Sequence, residues 1–136
     1  QIGGPMYATA TARPEARAGL VRRDGSGAVL PDAAWHWEGG TGHRRWAFYL
    51  RPSLCDPDTG RRVSAYSFED LWRVTAALPG AGGLPAARCR AVDAWKLIVA
   101  LERPDPSLPE RLAGSGLRLP AVCLETPLAG AELGDP

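Results

Sequence analysis

Hydrophobic and polar residues follow their most regular pattern between Arg45 and Leu78. Arg45 to Arg51 reads RWAFYLR and is apolar through its centre, which predicts a strand inside a sheet. Pro52 ends this run, and Asp56 to Gly60 (DPDTG) has the proline, aspartates and glycine that are typical of a turn. We expect a second short strand from Arg61 to Tyr66.

The segment after this turn predicts an amphipathic helix. Ser67 is a suitable N-cap, and Asp70 lies three residues later, where a capping-box partner is expected. Four residues at helical spacing form the apolar stripe: Phe68, Leu71, Thr75 and Leu78. Trp72 falls at the edge of this stripe, which makes it the best candidate for an exposed anchor residue.

Two further segments have the alternation of a strand. In Ala33 to Glu38 (AAWHWE), Trp35 and Trp37 share one face. In Trp95 to Leu101 (WKLIVAL), every second residue is a large apolar one. Together with the central strand and the helix, these segments predict an α+β fold, a curved antiparallel sheet with one or two helices packed on one face.

The distribution of residue types predicts one domain between two loose ends. Residues 1–30 are rich in Ala, Gly, Arg and Pro without sustained periodicity, and we expect a flexible N-terminal tail there. Residues 31–128 are expected to form a single α+β domain, and residues 129–136 a frayed C-terminus. A chain of 136 residues is of the usual size for one domain.

The composition and net charge of the chain argue against several classes of function. The net charge of +1 argues against a strongly basic nucleic-acid protein, and no apolar run approaches the ~20 residues of a membrane span. Three scattered cysteines, Cys55, Cys89 and Cys123, fit neither a zinc site nor a disulfide framework. Such thiols are typical of a reducing compartment, which predicts an intracellular, cytoplasmic location.

No cluster of residues indicates a catalytic chemistry. His36-Trp37-Glu38 resembles the H-x-E of zinc deaminases, but that chemistry also requires a P-C-x-x-C segment, which this sequence lacks. The sequence also contains no GxSxG, phosphate loop or GxGxxG motif. We therefore expect a non-enzymatic protein with no metal site and no cofactor.

Arginine pairs near tryptophans suggest a second kind of contact. Arg44-Arg45 and Arg61-Arg62 would lie at one end of a hairpin and contact phosphates, while Trp46 would stack on bases. The alternative is a charged sheet rim that keeps an edge strand soluble.

Two segments together resemble the cap-binding translation-initiation factor 4E family. Arg45 to Leu50 (RWAFYL) is similar to the family's R-W-A-x-W/Y-F/L strand, and Ser67 to Arg73 (SFEDLWR) is similar to its tryptophan helix. The resemblance implies that Trp72, with its neighbours Glu69, Leu71 and Arg73, binds a helical peptide of a protein partner. The two cap-stacking tryptophans of the family have no counterpart here, which implies that a cap is not held in the usual way.

The function expected from these observations is partner binding in translation or RNA metabolism. A divergent 4E-like domain would bind a partner helix around Trp72 without contact to a membrane. Two alternatives stay open, an accessory or structural subunit of a larger protein assembly and a small nucleic-acid-binding domain that uses the four arginines.

Overall fold

A four-stranded antiparallel sheet lies at the centre of this α+β structure, a computed structural model that describes residues 17–123. In chain order the strands are β1 (Arg17–Ala18), β2 (Val21–Arg23), β3 (Val29–Pro31), β4 (Ala34–Gly39), β5 (Arg45–Leu50), β6 (Leu54–Cys55), β7 (Ala87–Asp93), β8 (Lys96–Leu101), β9 (Leu119–Pro120) and β10 (Val122–Cys123). The helices are α1 (Ala65–Ala76) and α2 (Leu108–Ala113), with short 3-10 turns at Thr41–His43 and Pro79–Gly83.

The strand order of the central sheet is β4-β5-β8-β7, and every neighbouring pair is antiparallel. β5 and β8 are the two inner strands, so the prediction of an apolar central strand at Arg45 is confirmed. Three pairs of short strands, β1–β9, β2–β3 and β6–β10, surround this sheet in the described part of the chain. The predicted class, α+β with antiparallel strands, is confirmed.

One face of the sheet, here called the inner face, forms the core. Side chains alternate along β5 and β8, and the large apolar residues of both strands point to this face. Those that are at most 6% exposed are Trp46, Phe48, Leu50, Leu97, Val99 and Leu101. Helix α1 packs on this face against β7 and β8, through Ala65, Phe68, Trp72 and Thr75.

Helix α1 begins three residues before the predicted position. Ser64 is the N-cap, and its side chain accepts a hydrogen bond from the backbone N–H of Tyr66. Ser67 is the partner in this capping box, because its hydroxyl accepts the N–H of Ser64 at 3.1 Å. The expected strand from Arg61 to Tyr66 is reduced to one bridge between Cys55 and Arg62, because the chain enters the helix at Ala65.

The described part of the expected N-terminal tail is packed against the core. Leu20 and Val21 are each 1% exposed. The carboxylate of Asp32 accepts the N–H of Gly19 at 3.1 Å, and burial raises the pKa of this carboxyl group. Residues 17–30 are therefore held by buried side chains and cross-strand bonds. The remainder of the expected tail and the expected frayed end, residues 129–136, lie outside the described residues.

Candidate functional site

The second face of the central sheet, here called the outer face, points away from helix α1 and carries polar and aromatic side chains. Its residues are His36, Glu38, Arg45, Ala47, Tyr49, Arg88, Arg90, Lys96, Ile98 and Ala100. None of these ten side chains is classed as buried, whereas the alternate residues of β5 and β8 are fully covered. The outer face is therefore the largest part of the sheet that is available to a ligand.

One end of the outer face is aromatic. The rings of His36 and Tyr49 stack with their centroids 5.5 Å apart, in agreement with their pairing across β4 and β5. The ring of Trp35 lies 5.3 Å from the ring of His36 and is 54% exposed. The ammonium group of Lys96 lies 5.5 Å from the centre of the Tyr49 ring. These four side chains form an aromatic cluster that offers apolar area and hydrogen-bonding groups.

Arginine dominates the opposite end of the outer face. Arg45 on β5 and Arg88 on β7 face each other across Ala100 on β8. Arg90 lies two residues further along β7, opposite Ile98. All three arginines line a pocket of about 320 Å³.

Arg88 and Arg90 were not among the predicted site residues, because strand β7 was not predicted from the sequence. The segment Ala87 to Asp93 reads ARCRAVD, where small apolar residues alternate with charged ones. This alternation was the signal for a half-buried strand, although Ala and Cys are weaker indicators of a strand than Val or Ile.

Trp72 is a core residue, and its predicted position at an exposed edge of the helix is wrong. It is 3% exposed and packs beneath α1 against the sheet. Among the other three residues of the expected partner site, Glu69 and Leu71 are half-buried, and Arg73 is exposed and forms an ion pair with Asp70 at 3.0 Å. A partner helix cannot reach the Trp72 indole without opening the core.

The four arginines predicted to act together lie at two ends of β5. Arg44 precedes this strand and Arg45 is its first residue. Arg44 donates a hydrogen bond to the carbonyl of Glu102 at 3.2 Å. Arg62 lies at the other end, with its guanidinium 5.4 Å from the centre of the Trp95 ring. Arg61 is exposed beside it. A strand of this length separates the two pairs by roughly 17 Å, so they do not form one phosphate site.

The Cys89 thiol and the His36 imidazole lie on opposite faces of the central sheet. Burial, with a smaller contribution from Glu69, raises the pKa of the Cys89 thiol to about 12, which keeps it protonated at neutral pH. His36 bonds Glu38 at 3.0 Å on the outer face, far from this thiol, which lies on the inner face. Within residues 17–123 no group of three His, Cys, Asp or Glu side chains is placed to hold a metal ion.

No family model and no curated protein sequence matches this chain. Solved structures of binding proteins do match it. NikA from Brucella suis, in complex with Fe(III)-EDTA, has a TM-score of 0.69 and 20% identity over 85% of this chain. OppA from Burkholderia pseudomallei has a TM-score of 0.58 and 24% identity over 85% of the chain. OppA from Haemophilus influenzae, in complex with the peptide RPPGFSPFR, has a TM-score of 0.62 and 23% identity over 76%.

The chain spans about a quarter of the length of these neighbours, namely 24% of NikA and 26% and 25% of the two OppA proteins. At this level of identity the likeness establishes the fold of the segment. It also shows that the resemblance to the 4E family is wrong, because the matched structures are substrate-binding proteins of the oligopeptide and nickel transporter type.

Three further expectations are overturned by the same finding. The 4E resemblance implied a role in translation or RNA metabolism, and the arginine pairs suggested a contact with RNA. Neither expectation agrees with these neighbours. The expected cytoplasmic location is also contradicted, because binding proteins of this type are periplasmic. Neither helix of the described segment is long and apolar enough to cross a membrane.

Proposed function

We propose that this chain is part of an extracytoplasmic solute-binding protein of the kind that serves ABC transporters. The observation that carries the proposal is the fold, which matches NikA at a TM-score of 0.69 over 85% of the chain. The proposed function is the binding of a solute without catalysis.

The class of ligand is not determined by the fold, since the neighbours bind different compounds. OppA from Haemophilus influenzae is in complex with the peptide RPPGFSPFR, NikZ from Campylobacter jejuni with Ni(L-His), and AgaA from A. tumefaciens with agropinic acid. We propose a peptide for this chain, because the outer face offers flat aromatic rings and arginines for side-chain contacts.

A panel of ligands tests this proposal. Thermal unfolding of the 136-residue chain is measured with a mixture of random pentapeptides, with Ni(II)–histidine and with Fe(III)-EDTA. A ligand present at a hundred times its Kd stabilises the folded state by about 2.7 kcal/mol, which gives a clear rise in Tm. We expect this rise with the peptides. A rise with a metal complex alone, or with none of the three, contradicts peptide binding.

Location provides an independent test. The tagged protein is expected in the extracytoplasmic fraction when cells of its source organism are separated into compartments. Recovery with a cytoplasmic marker contradicts the proposed role.

A further inference from the structure

The arginine end of the outer face is positively charged and also contains a pocket. Ala100 lies between Arg45 and Arg88 in the register of β5, β8 and β7. Neighbouring strands are about 4.8 Å apart, so the two arginine backbones stand roughly 10 Å apart across this small residue. The gap between the long side chains is the pocket of about 320 Å³, and Ile98 and Ala100 line it.

These three arginines have no carboxylate partner among residues 17–123, although the outer face contains acidic groups. Glu38 is bonded to His36 at 3.0 Å. Asp93 accepts the backbone N–H of Trp95 at 2.8 Å. No carboxylate of the described residues thus forms an ion pair with these arginines, and their guanidinium groups are available to an anion.

The kind of anion follows from the groups that can contact it. The backbone N–H groups of β5 and β8 are used in the sheet ladder, and those on the free edge of β7 point along the sheet plane rather than out of its face. An anion that rests on the outer face therefore meets the side-chain guanidinium groups first. A guanidinium group presents two parallel N–H donors that match the two oxygens of a carboxylate. Three such groups with an apolar floor suit an acidic side chain whose methylene groups rest on Ile98.

We propose that this pocket, formed by Arg45, Arg88 and Arg90, binds the side-chain carboxylates of an acidic peptide. The inference rests on the proposed peptide-binding function and adds the charge of the peptide to it. Tyr49 lies four residues from Arg45 along β5, a distance of roughly 13 Å. An extended peptide therefore reaches both ends when its acidic residues and an aromatic residue are about four positions apart.

Three blocked hexapeptides test the charge preference by isothermal titration calorimetry on the 136-residue chain. Their sequences are Glu-Glu-Ala-Ala-Ala-Phe, Gln-Gln-Ala-Ala-Ala-Phe and Lys-Lys-Ala-Ala-Ala-Phe, acetylated and amidated so that only the side chains differ in charge. We expect the acidic peptide to bind at least about tenfold more tightly than the glutamine peptide, as charge-assisted hydrogen bonds are gained. The lysine peptide is expected to bind more weakly than both.

Variants of the pocket residues test whether the preference for the acidic peptide depends on this pocket. Arg88→Ala and Arg90→Ala should each reduce the affinity for the acidic peptide about tenfold and leave the glutamine peptide unaffected. Arg88→Lys retains the charge but loses the paired donors, and we expect an intermediate loss. Arg61→Ala is the matched control, because it removes an exposed arginine at the other end of β5 and should change neither affinity. Circular dichroism of each variant verifies the fold.

The outcomes separate this inference from the proposed function. Equal binding of all three peptides overturns the carboxylate pocket and leaves peptide binding in place. Binding of none of them, by a chain whose circular dichroism shows it folded, contradicts both. An unchanged affinity in Arg88→Ala and Arg90→Ala overturns the assignment of the pocket. So does displacement of the acidic peptide by equimolar inorganic phosphate or by a single-stranded oligonucleotide, since either result identifies a general phosphate site.

Discussion

The two faces of the central sheet are built from the same strands but differ in what holds them. On β5, Trp46, Phe48 and Leu50 point inward and are at most 6% exposed, while Arg45 and Tyr49 point outward into a surface that solvent reaches. Burial of the inner residues supplies the free energy of folding, at about 25 cal/mol per Å² of apolar area. The outer residues do not have to be apolar for the sheet to fold. One face can therefore be specialised for stability and the other for recognition, and substitutions should separate the two roles.

The largest difference in the loss of stability is expected between alanine substitutions of two tryptophans. Trp72→Ala removes a ring that is 3% exposed under α1, and we expect it to lower the free energy of unfolding by about 3–5 kcal/mol. Trp35→Ala removes a ring that is 54% exposed and should change it by no more than about 0.5 kcal/mol. Urea unfolding followed by circular dichroism measures both.

Trp72→Phe extends this test if the alanine variant does not fold. The Trp72 Nε1 atom has no hydrogen-bond partner among the described residues, so phenylalanine loses packing volume but no hydrogen bond. Its loss of stability should be well below that of alanine. Similar stabilities for Trp72→Ala and Trp35→Ala would contradict the assignment of the two faces.

Gly39 tests how closely the inner face is packed at its edge. A Cβ atom at this position would lie 2.9 Å from the indole ring of Trp46, its partner across β4 and β5. Gly39→Ala should therefore displace a buried ring and cost about 1–3 kcal/mol of unfolding free energy. Gly25→Ala is the control, because a Cβ at Gly25 meets no atom within 4 Å. Equal stability of the two variants in urea would show that the Trp46 ring can move freely.

The Cys89 thiol gives the inner face a dependence on pH. Its pKa rises from the ordinary 9.0 to about 12 in the folded state, so the protonated thiol is favoured by folding. This contribution is fully present below pH 9 and is lost as the pH rises toward 12. At pH 10 the loss is about 1.4 kcal/mol. Urea unfolding is measured at pH 7 and pH 10 for the native chain and for Cys89→Ala. Between these pH values the native chain should lose about this much free energy of unfolding relative to the variant. A difference in unfolding free energy that is the same at both pH values would contradict burial of the thiol.

The smallest effect concerns the first turn of α1, the helix that covers the inner face. Ser64→Ala removes the N-cap and should cost about 1 kcal/mol of unfolding free energy. Asp70→Ala removes only an exposed ion pair with Arg73 and should cost less than about 0.5 kcal/mol. Thermal unfolding of the two variants distinguishes the observed start of the helix from the start predicted at Ser67, which would give the reverse order.

The sequence predicts the inner face better than the outer one, for a physical reason. The central strands β5 and β8 are recognisable because buried strands require large apolar residues at every second position. Helix α1 is recognisable by its period, but two serines three residues apart, Ser64 and Ser67, both suit an N-cap. The predicted stripe also extended to Leu78, which lies beyond the end of α1 and is 54% exposed, and this placed Trp72 at its edge. With Ala65 as the first helical residue, Trp72 lies within the buried stripe.

The outer site depends on information that local pattern does not contain. Arg45 and Arg88 are 43 positions apart in the sequence and become neighbours only through the register that places Ala100 between them. Exposed residues of a sheet contribute little to folding, so no period or propensity marks them as a group. Strand β7 could have been predicted from its alternation, but the pairing of β7 with β8 could not.

Two-dimensional NMR of the ¹⁵N-labelled chain, titrated with the acidic hexapeptide, shows directly whether the outer face is the recognition surface. The indole N–H signals of Trp35 and Trp72 report on the two faces in one spectrum. We expect the signals of the Trp35 indole and of the backbone amides of Arg88 and Arg90 to shift, while the signal of the Trp72 indole stays in place. Shifts confined to Trp72 and the amides of α1 would place binding on the helix side and contradict the outer face as the recognition surface.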